Sequence, residues 1–123
     1  MRMRFWRTIV VVAPLLLLVA AMAAAQEITG TVTGTVKDSS GAVIPGVSVA
    51  VRNMGTNAMT KIVSDENGAY TAQRLPIGSY EVTAELQGFK RFLRANLELH
   101  VAERVRIHVV LQAGDLKETV EVT

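Results

Sequence analysis

The sequence predicts an all-β fold, a small sandwich preceded by a signal-peptide helix. Three observations carry this. Apolar residues recur with period two in short runs, turn-forming clusters separate those runs every roughly 8 to 12 residues, and nothing beyond residue 25 leaves room for a capped helix of normal length. About seven short strands with such punctuation is the pattern of a β-sandwich.

The helix comes first. Arg2, Arg4 and Arg7 make a basic start, Ile9 to Val19 is apolar except for Pro14, and Ala21 to Ala25 supplies small residues at the spacing of a signal-peptidase site. Cleavage is expected after Ala25. The rival reading is a retained membrane anchor, because the apolar run approaches the roughly 18 to 20 residues that span a bilayer. A lipoprotein is excluded, since its acylation needs a cysteine and the chain has none. The domains are therefore expected at 1–25 (signal), 26–112 (sandwich) and 113–123 (extended tail).

Removing the signal changes the charge. All 11 acidic residues lie beyond residue 25, whereas three of the 13 basic ones lie before it, so the remainder carries ten basic against eleven acidic side chains. No basic footprint for nucleic acid remains. Without cysteine no disulfide supports the domain, and its stability must come from packing.

Four runs alternate clearly: Thr31 to Lys37 around Val32, Gly34 and Val36; Val47 to Arg52 around Val47, Val49 and Val51; Tyr80 to Leu86; and Arg104 to Leu111. Shorter or mixed patterns mark further strands at Met59 to Ser64, Ala69 to Arg74, Phe89 to Leu93 and Leu97 to Val101. Between them lie turn sequences such as Asp38-Ser39-Ser40-Gly41, Asp65-Glu66-Asn67-Gly68 and Pro76-Ile77-Gly78. After Gly114 the chain alternates again through Glu118-Thr119-Val120-Glu121-Val122-Thr123, a last edge strand or the start of something longer.

An ordered series of short motifs runs through these elements: Gly34-Thr35-Val36-Lys37-Asp38, Gly41, Ile44-Pro45-Gly46-Val47, Asp65-Glu66-Asn67-Gly68-Ala69-Tyr70, Leu75-Pro76-Ile77-Gly78-Ser79-Tyr80-Glu81-Val82 and Gly88-Phe89. From about Thr31 to Leu111 the chain resembles the carboxypeptidase regulatory-like domain. The resemblance implies a seven-stranded transthyretin/prealbumin-like β-sandwich. Physical chemistry gives the motif residues structural work: Gly41, Gly68 and Gly78 suit positive φ, Pro45 and Pro76 fix φ at strand starts, and Tyr70, Tyr80 and Phe89 fill the core.

With an export signal, such a domain resembles the N-terminal extension of Oar-like TonB-dependent outer-membrane receptors. That resemblance implies a non-catalytic interaction or structural domain at the periplasmic face of the outer membrane of a Gram-negative bacterium, ahead of a plug and barrel that this chain does not contain. It also implies a role for the tail: Glu118, Thr119, Val120, Glu121, Val122 and Thr123 resemble a TonB box, which would pair with the energy-transducing protein by strand addition. The expected partners are a TonB-like protein and the outer-membrane barrel of a parent or neighbouring receptor. The alternative function is a secreted carbohydrate-binding module, which the sandwich shape permits; against it, Trp6 leaves with the signal and Tyr70 and Tyr80 are expected inside.

Sharper chemistry fails on the residues. His100-Val101-Ala102-Glu103 has the H-x-x-E spacing of a zinc site, but there is no third ligand, and polar side chains on a solvated strand face account for it. Asp65-Glu66-Asn67-Gly68 is a hairpin turn with Gly in the left-handed position, lacking the alternating oxygen ligands of a calcium loop. Lys37, the position to check for a lysine cross-link, has the parity of the polar face with Thr33 and Thr35. Lys90, Arg91 and Arg94 read as a solvated basic cluster. No nucleophile, base and acid assemble, and neither a catalytic residue, a metal nor a cofactor is expected.

Overall fold

The computed structural model describes residues 10–15 and 28–122. Residues 10–15 are helical, within the apolar run, and none of the described helices is long and apolar enough to cross a membrane. The expected cleavage position after Ala25 lies outside the described residues, as does Trp6.

Among the described residues nine strands follow: β1 (Thr29–Asp38), β2 (Ser48–Asn53), β3 (Met59–Val63), β4 (Ala69–Pro76), β5 (Gly78–Glu85), β6 (Arg91–Leu99), β7 (Arg104–Arg106), β8 (Val109–Leu111) and β9 (Thr119–Val122). They form two sheets, one ordered β4-β1-β7 with β8 also on β1, the other β3-β2-β5-β6-β9. Both β7 and β8 pair with β1 in parallel, so they are two halves of one interrupted path. Counted that way, β1 to β8 make the expected seven-stranded sandwich, and β9 adds an eighth path to the larger sheet.

The alternating valines explain the core. Val32 and Val36 of β1, Val49 and Val51 of β2, Val82 and Ala84 of β5, and Val109 and Leu111 of β8 are fully buried between the sheets. Tyr70, Tyr80, Leu99 and Phe92 supply the bulk, with Phe89 packed half-buried against them. Each fully buried valine or leucine contributes about 1.5–3 kcal/mol of apolar transfer, which is what a disulfide-free domain requires.

Two of the strands switch parity. In β6, Tyr80 faces Leu97 and Val82 faces Arg94, leaving Glu81 opposite both Ala95 and Asn96. The same occurs in β4, where Thr31 faces Gln73 and Arg74. The extra residues Asn96 (φ 57°) and Arg74 (φ 56°) sit in the left-handed region, and each bulge moves the buried set from even to odd positions. Consequently the two strands expected at Phe89–Leu93 and Leu97–Val101 are one, β6, bent at its bulge; Phe89 and Lys90 precede it, and His100 and Val101 follow it.

The interruption between β7 and β8 has a specific cause. Gly34 and Tyr70 are directly opposed across β1 and β4. A Cβ on Gly34 would collide with the carbonyl of Ile107, and the Tyr70 hydroxyl donates to that same carbonyl at 2.5 Å. The Ile107 carbonyl thus occupies the space a side chain would take, and the tyrosine satisfies it inside the core. Burial pushes the Tyr70 phenol well above its ordinary value, keeping it protonated as a donor. Tyr80 plays a similar part at the other end, donating to the Pro76 carbonyl at 2.6 Å and accepting from Asn53 Nδ2 at 3.2 Å.

Gly41, Gly68 and Gly78 all have positive φ as expected, but Pro76 ends β4 and does not start a strand. Thr33 is a second correction: its parity is polar, yet it is buried, because β4 and β7 flank it and its hydroxyl donates to the Tyr70 carbonyl at 3.1 Å.

Candidate functional site: the edge strand at the C-terminal tail

The tail is built by three linked steps. Beyond β8 the chain crosses to the larger sheet, where Phe89 bridges Ala113, the Lys90 amide donates to the Gln112 carbonyl at 2.7 Å and the Gly114 amide to Gly88 at 3.1 Å. A turn follows, in which Asp115 Oδ1 accepts from the Lys117 amide at 3.0 Å and the Asp115 carbonyl from the Glu118 amide at 2.9 Å. β9 then runs parallel to β6, with Arg91, Phe92, Leu93 and Arg94 opposite Thr119, Val120, Glu121 and Val122. The Arg91 amide opens this ladder by donating to the Glu118 carbonyl at 2.8 Å.

Charges fix the seat. Lys90 Nζ lies 3.2 Å from Glu118 Oε2, and Arg91 Nε lies 3.0 Å from Glu85 Oε1. Lys90 and Arg91, two members of the expected solvated basic cluster, keep part of their side chains in solvent and form ion pairs around the base of the tail. Exposed pairs of this kind contribute about 1 kcal/mol or less; their effect here is on register. Within β9 only Val120 is half-buried, while Thr119, Glu121 and Val122 are exposed, and Thr123 lies outside the described residues. β9 is the end of its sheet, so its far side has no strand among the described residues.

Sequence reasoning found the segment but missed its seat on β6. The alternation of Glu118 to Val122 was the available signal; nothing local encodes a parallel partner.

The other residues singled out do not assemble. His100 and Glu103 share one exposed turn between β6 and β7, not a strand face, with Nδ1 to Oε2 at 2.9 Å. His108 is exposed in the gap between β7 and β8. Among the described residues no three His, Cys, Asp or Glu side chains come together as metal ligands. Asp65 Oδ1 accepts the amides of Asn67 and Ala69, both at 2.9 Å, so this carboxylate holds its own turn, and Gly68 (φ 73°) completes it. Asp38 does the same for the turn after β1, and its carboxyl is held below the usual range by the Ser40 hydroxyl and the surrounding amides. Lys37 is exposed. Both tyrosine rings are buried, at 2% exposure each, and offer no surface for sugar stacking.

Comparison with known proteins agrees with this geometry. Residues 31–112 match the carboxypeptidase regulatory-like domain family. Over 116 residues the chain is 31% identical to the TonB-dependent transporter Oar of Myxococcus xanthus, covering 93% of this chain and 10% of that protein. The chain thus spans about a tenth of the length of that relative. Among solved structures, the TIE protein of Bacillus anthracis superposes with a TM-score of 0.61 at 20% identity, over 71% of this chain and 17% of the other. A catechol 1,2 dioxygenase from Acinetobacter radioresistens gives 0.58 at 14% identity, over 81% and 57%. A Streptococcal ancillary pilin gives 0.56 at 18% identity, over 72% and 34%. These three show the shared sandwich alone.

Proposed function

Since the chain belongs to the carboxypeptidase regulatory-like domain family, we propose that it is a non-catalytic interaction domain of a TonB-dependent transport system, held at the periplasmic face of the outer membrane. In this reading residues 1–25 direct export, the sandwich is a rigid mount, and the segment Glu118 to Thr123 is offered to a TonB-like protein by strand addition. The plug and barrel it serves belong to a parent or neighbouring receptor. The observation that carries this is the placement of β9: Thr119–Val122, with the alternating Thr, Val and Glu pattern, is the last strand of its sheet and has no strand on its outer side among the described residues. The similarity to a TonB-dependent transporter supports the same partner.

The test is a pull-down from envelope extracts with the periplasmic part of TonB as probe, comparing the chain with a version lacking residues 118–123, alongside fractionation of the source cells. The proposal expects TonB to retain the chain, deletion to abolish retention, and the cleaved form to fractionate with the envelope. Equal retention without the segment, or a cytoplasmic uncleaved product, refutes it.

A further inference from the structure

The two sheets have four edges, and three of them are guarded. β3 carries the exposed Lys61; β4 is kinked by the bulge at Gln73 and Arg74 and ends in Pro76; the β7 to β8 path is broken at Ile107 and His108. A lysine, a proline, a bulge and an interruption are the devices by which native sheets stop their edges from pairing with another chain. β9 lacks those four devices, since Thr119 to Val122 contains no Lys, Pro or Gly and pairs with β6 without a register shift; its one charge, the exposed Glu121, guards it against an anionic strand and leaves it open to a cationic one.

From this asymmetry we infer that the outer edge of β9 is a strand-addition site that works while β9 stays docked on β6, and that it takes an extended partner strand with cationic residues alternating with apolar ones. The inference deepens the proposed function and rests on its assignment of the tail as the partner segment. The ladder phase is set by the Arg91 amide on the Glu118 carbonyl. By the alternation of a parallel strand, the amides and carbonyls of Thr119 and Glu121 therefore point away from β6, free to pair. The incoming strand's chemistry follows from the two faces. On one face Glu121 stands opposite Leu93, with no cation across from it in the ladder. On the other, Val122 at 37% and nearby Leu116 at 38% exposure leave apolar surface for a neighbour to cover. A second copy of the chain fits less well, because its own Glu121 would come to the same edge.

Three variants and a pair of peptides test this. The probes are short synthetic peptides of alternating Lys and Val, or of alternating Glu and Val, followed by amide exchange and chemical-shift mapping on the whole chain. The Lys-Val peptide is expected to bind with protection of the Thr119 and Glu121 amides, and the Glu-Val peptide about tenfold more weakly or less. Thr119→Pro removes an outward donor that β6 does not use, and Glu121→Lys guards the edge; each is expected to cut binding about tenfold or more with the fold unchanged. The double variant Arg91→Cys/Thr119→Cys joins directly opposed residues and leaves Glu121 in place, in a chain without other cysteines. Peptide binding is expected to persist after its oxidation. Loss of binding on oxidation means that β9 must leave β6, and overturns the inference. So does undiminished binding to Thr119→Pro, or self-association through β9 outcompeting the peptide. Peptide binding without retention by TonB leaves the edge site intact and refutes only the assigned partner.

Discussion

Tyr70→Phe isolates one hydrogen bond. The ring stays in the core, while the hydroxyl that donates to the Ile107 carbonyl at 2.5 Å is removed. The carbonyl is lodged over Gly34, where water has no ready access, so the loss includes the desolvation of an orphaned acceptor as well as the bond. Such a loss costs about 1–3 kcal/mol; at about 2 kcal/mol a domain of this size melts some 8–16 °C lower. Urea unfolding is expected to show a lower midpoint with an unchanged slope, since the surface exposed on unfolding is the same. The pH dependence supplies an independent sign. The folded phenol titrates above its ordinary value of 10.0, so its contribution is fully present below pH 10.0 and is lost as the pH climbs from there towards the folded value. The gap between wild type and Tyr70→Phe should therefore narrow above that pH, by about 1.4 kcal/mol per unit. A variant destabilised by under about 0.5 kcal/mol, or a gap that stays constant through alkaline pH, would refute the account of the β7 to β8 break.

The remaining expectations are briefer. Gly34→Ala forces a methyl into the Ile107 carbonyl and is expected to cost about 3 kcal/mol or more in urea unfolding, because the obstacle is backbone and cannot swing aside. At the β4 bulge, Arg74→Gly should leave thermal stability nearly unchanged, whereas Arg74→Val should lose about 1–2 kcal/mol by placing a β-branched residue at φ 56°. Asp38 titrates below the usual carboxylate range, so its stabilisation is present above pH 3.8 and fades as the pH falls through the folded value; Asp38→Ala should flatten that part of the acid-unfolding curve. Lys90→Glu should speed amide exchange in β9 without altering exchange in β5, since among the described residues the ion-pair partner of Lys90 is Glu118 of the tail.

Much of the sandwich was legible because period two is a local signal. The valines of β1, β2, β5 and β8 could be assigned to the core by counting alone, and Lys37 to the solvent. Counting fails wherever the backbone inserts a residue. The bulges at Arg74 and Asn96 shift parity midway through β4 and β6, so continuous strands look like short mixed ones. Thr33 went to the wrong class for another reason: an outer-face residue on a central strand is covered by the neighbouring strands, whatever its parity. The candidate site shows the same division. Glu118 to Val122 was readable as strand-like, whereas its seat on β6 depends on a crossover through Gln112 and Ala113 and on the Lys90 to Glu118 pair, which only the assembled sheet brings together.

The motif residues and the candidate site also differ in kind, and this bears on how such a domain can be specific. Gly34, Gly68, Tyr70 and Tyr80 all converge on places where the backbone is irregular: a carbonyl turned inward, a tight turn, a bond back to Pro76. Side-chain identity there is set by geometry, so the motifs report the fold and say nothing about a partner. A strand edge has the opposite character. Its main attraction is backbone, available to any extended chain, and its discrimination can come only from what flanks the ladder. In the proposed reading of β9 that means the carboxylate of Glu121 on one face and the partly bare Val122 on the other, together with the guards on the competing edges of β3, β4 and β7 to β8. If the tail binds as proposed, selectivity is a property of which edge is left open and of the charge beside it, and substitutions that unguard β3, such as Lys61→Val, are expected to relax the choice of peptide in the same binding assay before they weaken binding at β9.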